Sequence, residues 1–180
     1  MNELLSHNKK AIRKEVAWSI SNVTAGPEHH IQAVIDSGVI DRLIHMMQHD
    51  DWEIRKEACW AVSNCTACAT PQQILVLVKK GIMKAMGVMM SMKESRQLMV
   101  MLEALENILK CGDQHFKDQD GNNEFVIQME NEGVLDNLEE VQMHKNHLVF
   151  EKAAAILQTY FVAEGQEDEE LLKTIQGGGN

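Results

Sequence analysis

The segment KEVAWSISN, Lys14–Asn22, returns as KEACWAVSN, Lys56–Asn64, with residue numbers 42 apart throughout. A segment that recurs at a fixed spacing of this size must form the same local element each time and pack on its neighbour in the same way. In both copies a Trp is followed four residues later by an Asn. That is little more than one helical turn, so each pair lies on one helix face. The constraint is therefore a stack of helical units with one Trp-Asn pair per layer. Stacking turns the pairs into a ladder, which is a binding surface.

A period near forty residues belongs to all-α stacked repeats of the armadillo or HEAT kind. The 180-residue chain has two prolines and little strand-like alternation, which agrees with an all-helical solenoid. Three-helix units can be traced along it. Pro27 follows Ala25-Gly26, a helix stop and then a helix start. A short helix runs to about Ser37-Gly38, a second spans about Val39–His49, and a third starts near Asp51 and carries 55–66. The cycle restarts at Thr70-Pro71, where Thr70 can cap the helix. It continues through 82–92 and a long helix over about 94–111.

A polar loop within 114–124 precedes a last cycle over 125–132, 134–144 and 146–163. Gly38, Gly81 and Gly133 each fall between a first and a second helix, and either a left-handed backbone or a close helix crossing explains them. The expected organisation is an array over 1–163, about three to four repeats, and an acidic, Gly-ending disordered tail over 164–180. Residues 1–7 read as the tail of a second helix whose first helix is missing. The chain is thus expected to be a fragment of a longer array, or to self-associate through its open end by way of Leu4, Leu5 and Ile12.

The formal net charge is −10. Nucleic acid is an unsuitable direct partner, because binding phosphates needs clustered Lys and Arg, whereas an acidic chain attracts a basic partner. No apolar run approaches a membrane span, and residues 1–12 are polar and mixed in charge, unlike a secretory leader. Cys59, Cys65, Cys68 and Cys111 lack the spacing of a disulfide framework, which suits a reducing cytosol or nucleus.

The ladder has a chemistry. Asn22 and Asn64 each carry a donor and an acceptor, so they can pair with the amide and carbonyl of an extended peptide without reading its side chains. Trp18 and Trp60 make slots for aliphatic stems and attract the cations that end them. Glu15 and Glu57, three residues before each Trp, can pair with those cations. The assembled preference is for an extended segment rich in Lys and Arg. The bland alternative is that the Trp and Asn are internal packing residues of the repeat.

Other motifs carry less. Cys65-Thr66-Ala67-Cys68 is a C-x-x-C, but it closes an amphipathic helix and has no second ligand pair for zinc. His29-His30 reads as a solvated first turn. The methionines from Met83 to Met101 read as core filling, and Trp52, out of register with the ladder, as packing. No phosphate-cradling glycine motif and no nucleophile–base pair can be assigned, so neither catalysis nor a cofactor or metal is expected.

RKEVAWSISNVTAG (13–26) and RKEACWAVSNCTAC (55–68) resemble the signature helices of importin alpha, the armadillo adaptor for nuclear import. Residues 32–38, 106–109 and Tyr160-Phe161 add to the likeness, which runs in order over about 4–170 and is strongest to the C-terminal repeats. The resemblance implies binding of basic nuclear localisation signals in a concave groove and residence in cytoplasm and nucleus. Trp18, Asn22, Trp60 and Asn64 match the family's minor cargo site, and Ser21 and Glu57 match positions that contact cargo. Residues 146–161 resemble the region that engages the export receptor. Importin beta is a partner of the full-length family through a domain the likeness does not reach. Two positions depart from the pattern: Glu103 stands where a third Trp is expected, and Cys68 replaces a Gly. The competing expectation is an armadillo interaction module that self-associates or docks partners without binding cargo.

Overall fold

A computed structural model describes residues 2–161 as eleven α-helices. They are α1 (Asn2–Leu5), α2 (Lys10–Thr24), α3 (Glu28–Asp36), α4 (Val39–His49), α5 (Trp52–Cys68), α6 (Pro71–Lys79), α7 (Ile82–Met90), α8 (Ser95–His115), α9 (Glu124–Asn131), α10 (Val134–Gln142) and α11 (His147–Tyr160). The expected all-α armadillo array is present, with α3–α5, α6–α8 and α9–α11 as three-helix units and α1–α2 as a partial first one. Third helices stack in the order α2, α5, α8, α11, and second helices in the order α1, α4, α7, α10. The expected tail, 164–180, lies outside the described residues.

One apolar core runs through all layers, from Leu5 and Ile20 through Leu43, Val62, Met86 and Leu105 to Leu138 and Ile156. Helical spacing of these side chains gives each helix one buried stripe, and each stripe closes on the next layer. Met83, Met86, Met89, Met90 and Met101 are buried in this core, as expected of flexible gap-fillers.

The start of α6 is fixed by a complete capping box. The Thr70 hydroxyl accepts from the Gln73 amide, and the Gln73 side chain accepts from the Thr70 amide. Gln73 also donates to the Glu28 carbonyl and to Gln32, which ties α6 to α3 of the preceding layer. Gly38, Gly81 and Gly133 have φ of 73°, 88° and 71°. A Cβ at Gly81 or Gly133 would meet nothing within 4 Å, so the left-handed turn is the reason for glycine, and helix crossing is not.

Two expectations at the edges need correction. Leu5 is fully buried against the core, so of the three residues assigned to an open apolar end only Leu4 is exposed and Ile12 is half-buried. The short α1 covers the end of the array well enough to bury Leu5, because α1 packs on both α2 and α4. The polar loop after α8 starts later than expected, since α8 continues to His115. Gly112 permits that extension by letting the Asn123 side chain lie against the helix, where a Cβ would come within 2.1 Å of its Oδ1.

Candidate peptide-binding groove

Successive third helices place their ladder residues side by side. Trp18, Ser21 and Asn22 of α2 line a groove of about 420 Å³ together with Glu53, Lys56, Glu57, Trp60 and Asn64 of α5. Glu94, Arg96 and Gln97, at the start of α8, complete it. Six of the seven residues singled out from the sequence therefore meet in one place. Glu15 is exposed on the same helix but is not among the lining residues.

The two rungs are not equivalent. Trp18 is 52 % exposed, whereas Trp60 is half-buried. Covering the open face of Trp18 with a ligand would contribute on the order of 2–3 kcal/mol of apolar burial. Asn22 is exposed and makes no hydrogen bond within the described residues, so its amide is free in both donor and acceptor. Asn64 is partly committed, because its Nδ2 donates to the Ser21 carbonyl across the layers at 3.0 Å. The next Asn along the stack repeats this role, with Asn107 Nδ2 donating to Thr66 Oγ1 at 3.2 Å. Ser21 is nearly buried and its hydroxyl is turned inward to the Trp18 carbonyl at 2.7 Å. Its carbonyl anchors Asn64, which makes Ser21 a support for the ladder in this state.

Glu53, Glu57 and Glu94 bring carboxylates to the groove, and Lys56 and Arg96 bring cations. Lys56 is paired with Glu53 at 2.8 Å, which raises the lysine above and holds the carboxyl below their ordinary values. Glu57 and Glu94 make no ion pair within the described residues and remain available to a cationic ligand. The lining is more polar than apolar, unlike the apolar pockets that hold small hydrophobic molecules.

The lining residues missed from the sequence are Glu53 and Lys56 of α5 and Glu94, Arg96 and Gln97 of the neighbouring layer. Glu94, Arg96 and Gln97 precede the third-helix position of the next repeat and carry no ladder motif. The signal for them was present in the numbering: Glu53 and Lys56 stand beside Trp18 from one layer on, so residues at a similar offset from Trp60 stand beside Trp60.

Outside the groove, Cys65 is buried and burial pushes its thiol up to about 12. Cys68 is exposed at the end of α5. A redox nucleophile needs a lowered thiol, the opposite of what burial does to Cys65. Trp52 packs partly on the core and carries Lys56 at 5.6 Å and Arg55 at 6.0 Å from its ring centre. His29 and His30 are exposed in the first turn of α3. No helix among the described residues is long and apolar enough to cross a membrane.

Known proteins agree with this architecture. The armadillo/beta-catenin-like repeat model matches residues 27–67, and an atypical Arm repeat model matches 123–174. The chain is 42% identical over 179 residues to importin subunit alpha-4 of Arabidopsis thaliana, covering 98% of this chain and 32% of that protein. It is 41% identical over 164 residues to importin subunit alpha-1a of Oryza sativa subsp. japonica, covering 89% and 31%. This chain belongs to the importin alpha family. It spans about a third of the length of these importin alpha relatives. Among solved structures, a designed armadillo repeat protein superposes with a TM-score of 0.71 at 25% identity, covering 87% of this chain and 61% of that one. A second designed armadillo protein, solved in complex with the peptide (KR)4, superposes with a TM-score of 0.57 at 22% identity, covering 88% and 79%.

Proposed function

We propose that this chain is a nuclear import adaptor segment whose groove holds an extended basic peptide of the nuclear localisation type, in cytoplasm and nucleus. The observation that carries the reading is the convergence of Trp18, Asn22, Trp60 and Asn64 with the unpaired carboxylates Glu57 and Glu94. The peptide lies across the third helices. Asn22, and the remaining valences of Asn64, take its backbone amides and carbonyls. The stem of a Lys or Arg lies on Trp18, and its charged end faces Glu57. Glu15 acts outside the groove as a diffuse negative charge that favours approach.

The test is a fluorescence titration with the peptide (KR)4. Trp18→Ala and Asn22→Ala are the informative variants, because both side chains are exposed and neither is tied to the fold. Together they are expected to weaken binding by about 100-fold with unchanged circular dichroism. Equal binding by the double variant and the parent overturns the reading. Asn64→Ala is a poorer choice, since it also removes the tie to Ser21.

A second reading, docking of a protein partner on the last repeat, is favoured by Met143, Leu148 and Phe150, which are 85 %, 65 % and 42 % exposed. The resemblance to importin alpha implies the export receptor as that partner, with importin beta a partner of the full-length family.

A further inference from the structure

The aromatic faces near the groove do not stand equally open. Three of the chain's own cations lie over tryptophan rings: Arg55 and Lys56 over Trp52, and Arg96 over Trp60 at 5.7 Å from the ring centre. Trp18 carries none among the described residues. Arg96 is the unusual member. It is exposed and lines the groove beside Glu57 and Glu94, yet it makes no ion pair or hydrogen bond within the described residues. Its guanidinium rests on the indole instead. Arg96 belongs to α8, which stacks on α5 from the side away from α2. It therefore brings a cation of the third layer, the layer in which Glu103 replaces the ladder Trp, onto the Trp60 ring. Beside it in the groove, Gln97 is 2 % exposed, and its side chain lies against the buried Cys59 thiol.

We propose that Arg96 is a built-in occupant of the Trp60 cation slot, which an incoming basic peptide must displace to use that slot. The proposal rests on the reading of the groove as a basic-peptide site. A guanidinium over an indole is the contact that a cargo Lys or Arg would make, so the chain supplies its own competitor. With Arg96 in place, one aromatic slot is open, at Trp18, and the ladder is closed after the second rung. Displacement uncovers the rest of the Trp60 ring for the peptide's own cation. Arg96 thereby limits both affinity and the number of basic side chains that are read. It is a specificity-determining residue that acts by competition.

The test uses the whole chain and the peptide (KR)4. Arg96→Ala is expected to tighten binding by about 2- to 5-fold, the range of one exposed cation–π contact. Lys84→Ala, on the exposed side of α7, removes the same charge elsewhere and is expected to change binding less than twofold. Equal effects of the two variants, or weaker binding by Arg96→Ala, overturn the proposal, because general electrostatics or a direct peptide contact by Arg96 would then account for the data. A second measurement needs no peptide. In a chain with Trp18→Phe and Trp52→Phe, emission comes from Trp60 alone. Adding Arg96→Ala is expected to raise quenching by caesium ions more than quenching by neutral acrylamide. Unchanged caesium quenching overturns the proposal. Absence of (KR)4 binding by every variant, with caesium quenching raised, overturns the peptide reading of the groove and leaves Arg96 as the occupant of the Trp60 face.

Discussion

Arg13 and Arg55 occupy the same position in successive repeats, yet only one has its partner. Arg13 makes paired hydrogen bonds to Asp50 at 2.8 and 2.7 Å, from a site where both side chains are largely covered. It also donates to the His7 carbonyl and so fastens the link between α1 and α2. The position equivalent to Asp50, one repeat on, is Met92, and Arg55 reaches its sulfur at 3.8 Å. Arg55 Nη2 is buried with no hydrogen-bond partner among the described residues. The electrostatics follow: the Asp50 hydrogen bond raises Arg13 above its ordinary value, while burial pulls Arg55 below it. Met92→Asp is expected to restore the pair and add about 0.5–1.5 kcal/mol, read as a higher urea midpoint. Asp50→Asn is expected to cost about 2–3 kcal/mol at neutral pH, because it leaves Arg13 short of its counter-ion. Burial alone would raise the Asp50 carboxyl, but its bonds to Arg13 and to the Asp51 amide, with the charges of Arg13 and Arg42, hold it below the ordinary range. Its stabilisation is therefore present above the unfolded value near 3.9 and is lost as pH falls through the lowered folded value. Urea midpoints below about pH 4 should accordingly converge between parent and Asp50→Asn.

Among elements, Asn123 ties α9 to α8. Asn123 caps α9 by accepting from the Phe125 amide at 3.0 Å, and it donates to the Leu109 carbonyl of α8 at 2.8 Å. Phe116 stacks on Phe125 at 5.1 Å between ring centres. This geometry requires Gly112, where a methyl group would overlap Asn123 and the Phe125 ring. Gly112→Ala is expected to destabilise by about 2–4 kcal/mol despite the better helix propensity of Ala, measured by chemical denaturation. The sequence marks 114–124 as a polar loop from its Asp-Gly-Asn-Asn run, but the run does not reveal that its last Asn turns inward. A residue that reads as polar loop becomes buried only when its two hydrogen-bond partners are brought to it from different helices.

At the scale of the molecule, the array buries its core between layers, so each layer is stabilised by its neighbours and the outermost layers have one neighbour fewer. Hydrogen exchange is expected to be slowest in α5 and α8 and fastest in α1, read by mass spectrometry of the native chain. A uniform rate along the array would contradict layer-by-layer stability. The net charge of −10 acts at this scale too. Affinity for (KR)4 is expected to fall by roughly 10-fold or more between low and physiological salt, because exposed charges beyond about 8–10 Å are screened.

Sequence alone determined the repeat, the helix order and the place of one Gly per unit, because these follow from local spacing; that those glycines are left-handed turns rather than close crossings is read from the structure. It also determined that Trp18, Asn22, Trp60 and Asn64 share a helix face. It did not determine what faces them. Whether Leu5 is covered, whether Asn64 is free or tied to Ser21, and which cation rests on Trp60 all depend on side chains that meet across layers. Those meetings are set by how one repeat rotates on the next, a property of the packed core that no single stretch of residues encodes.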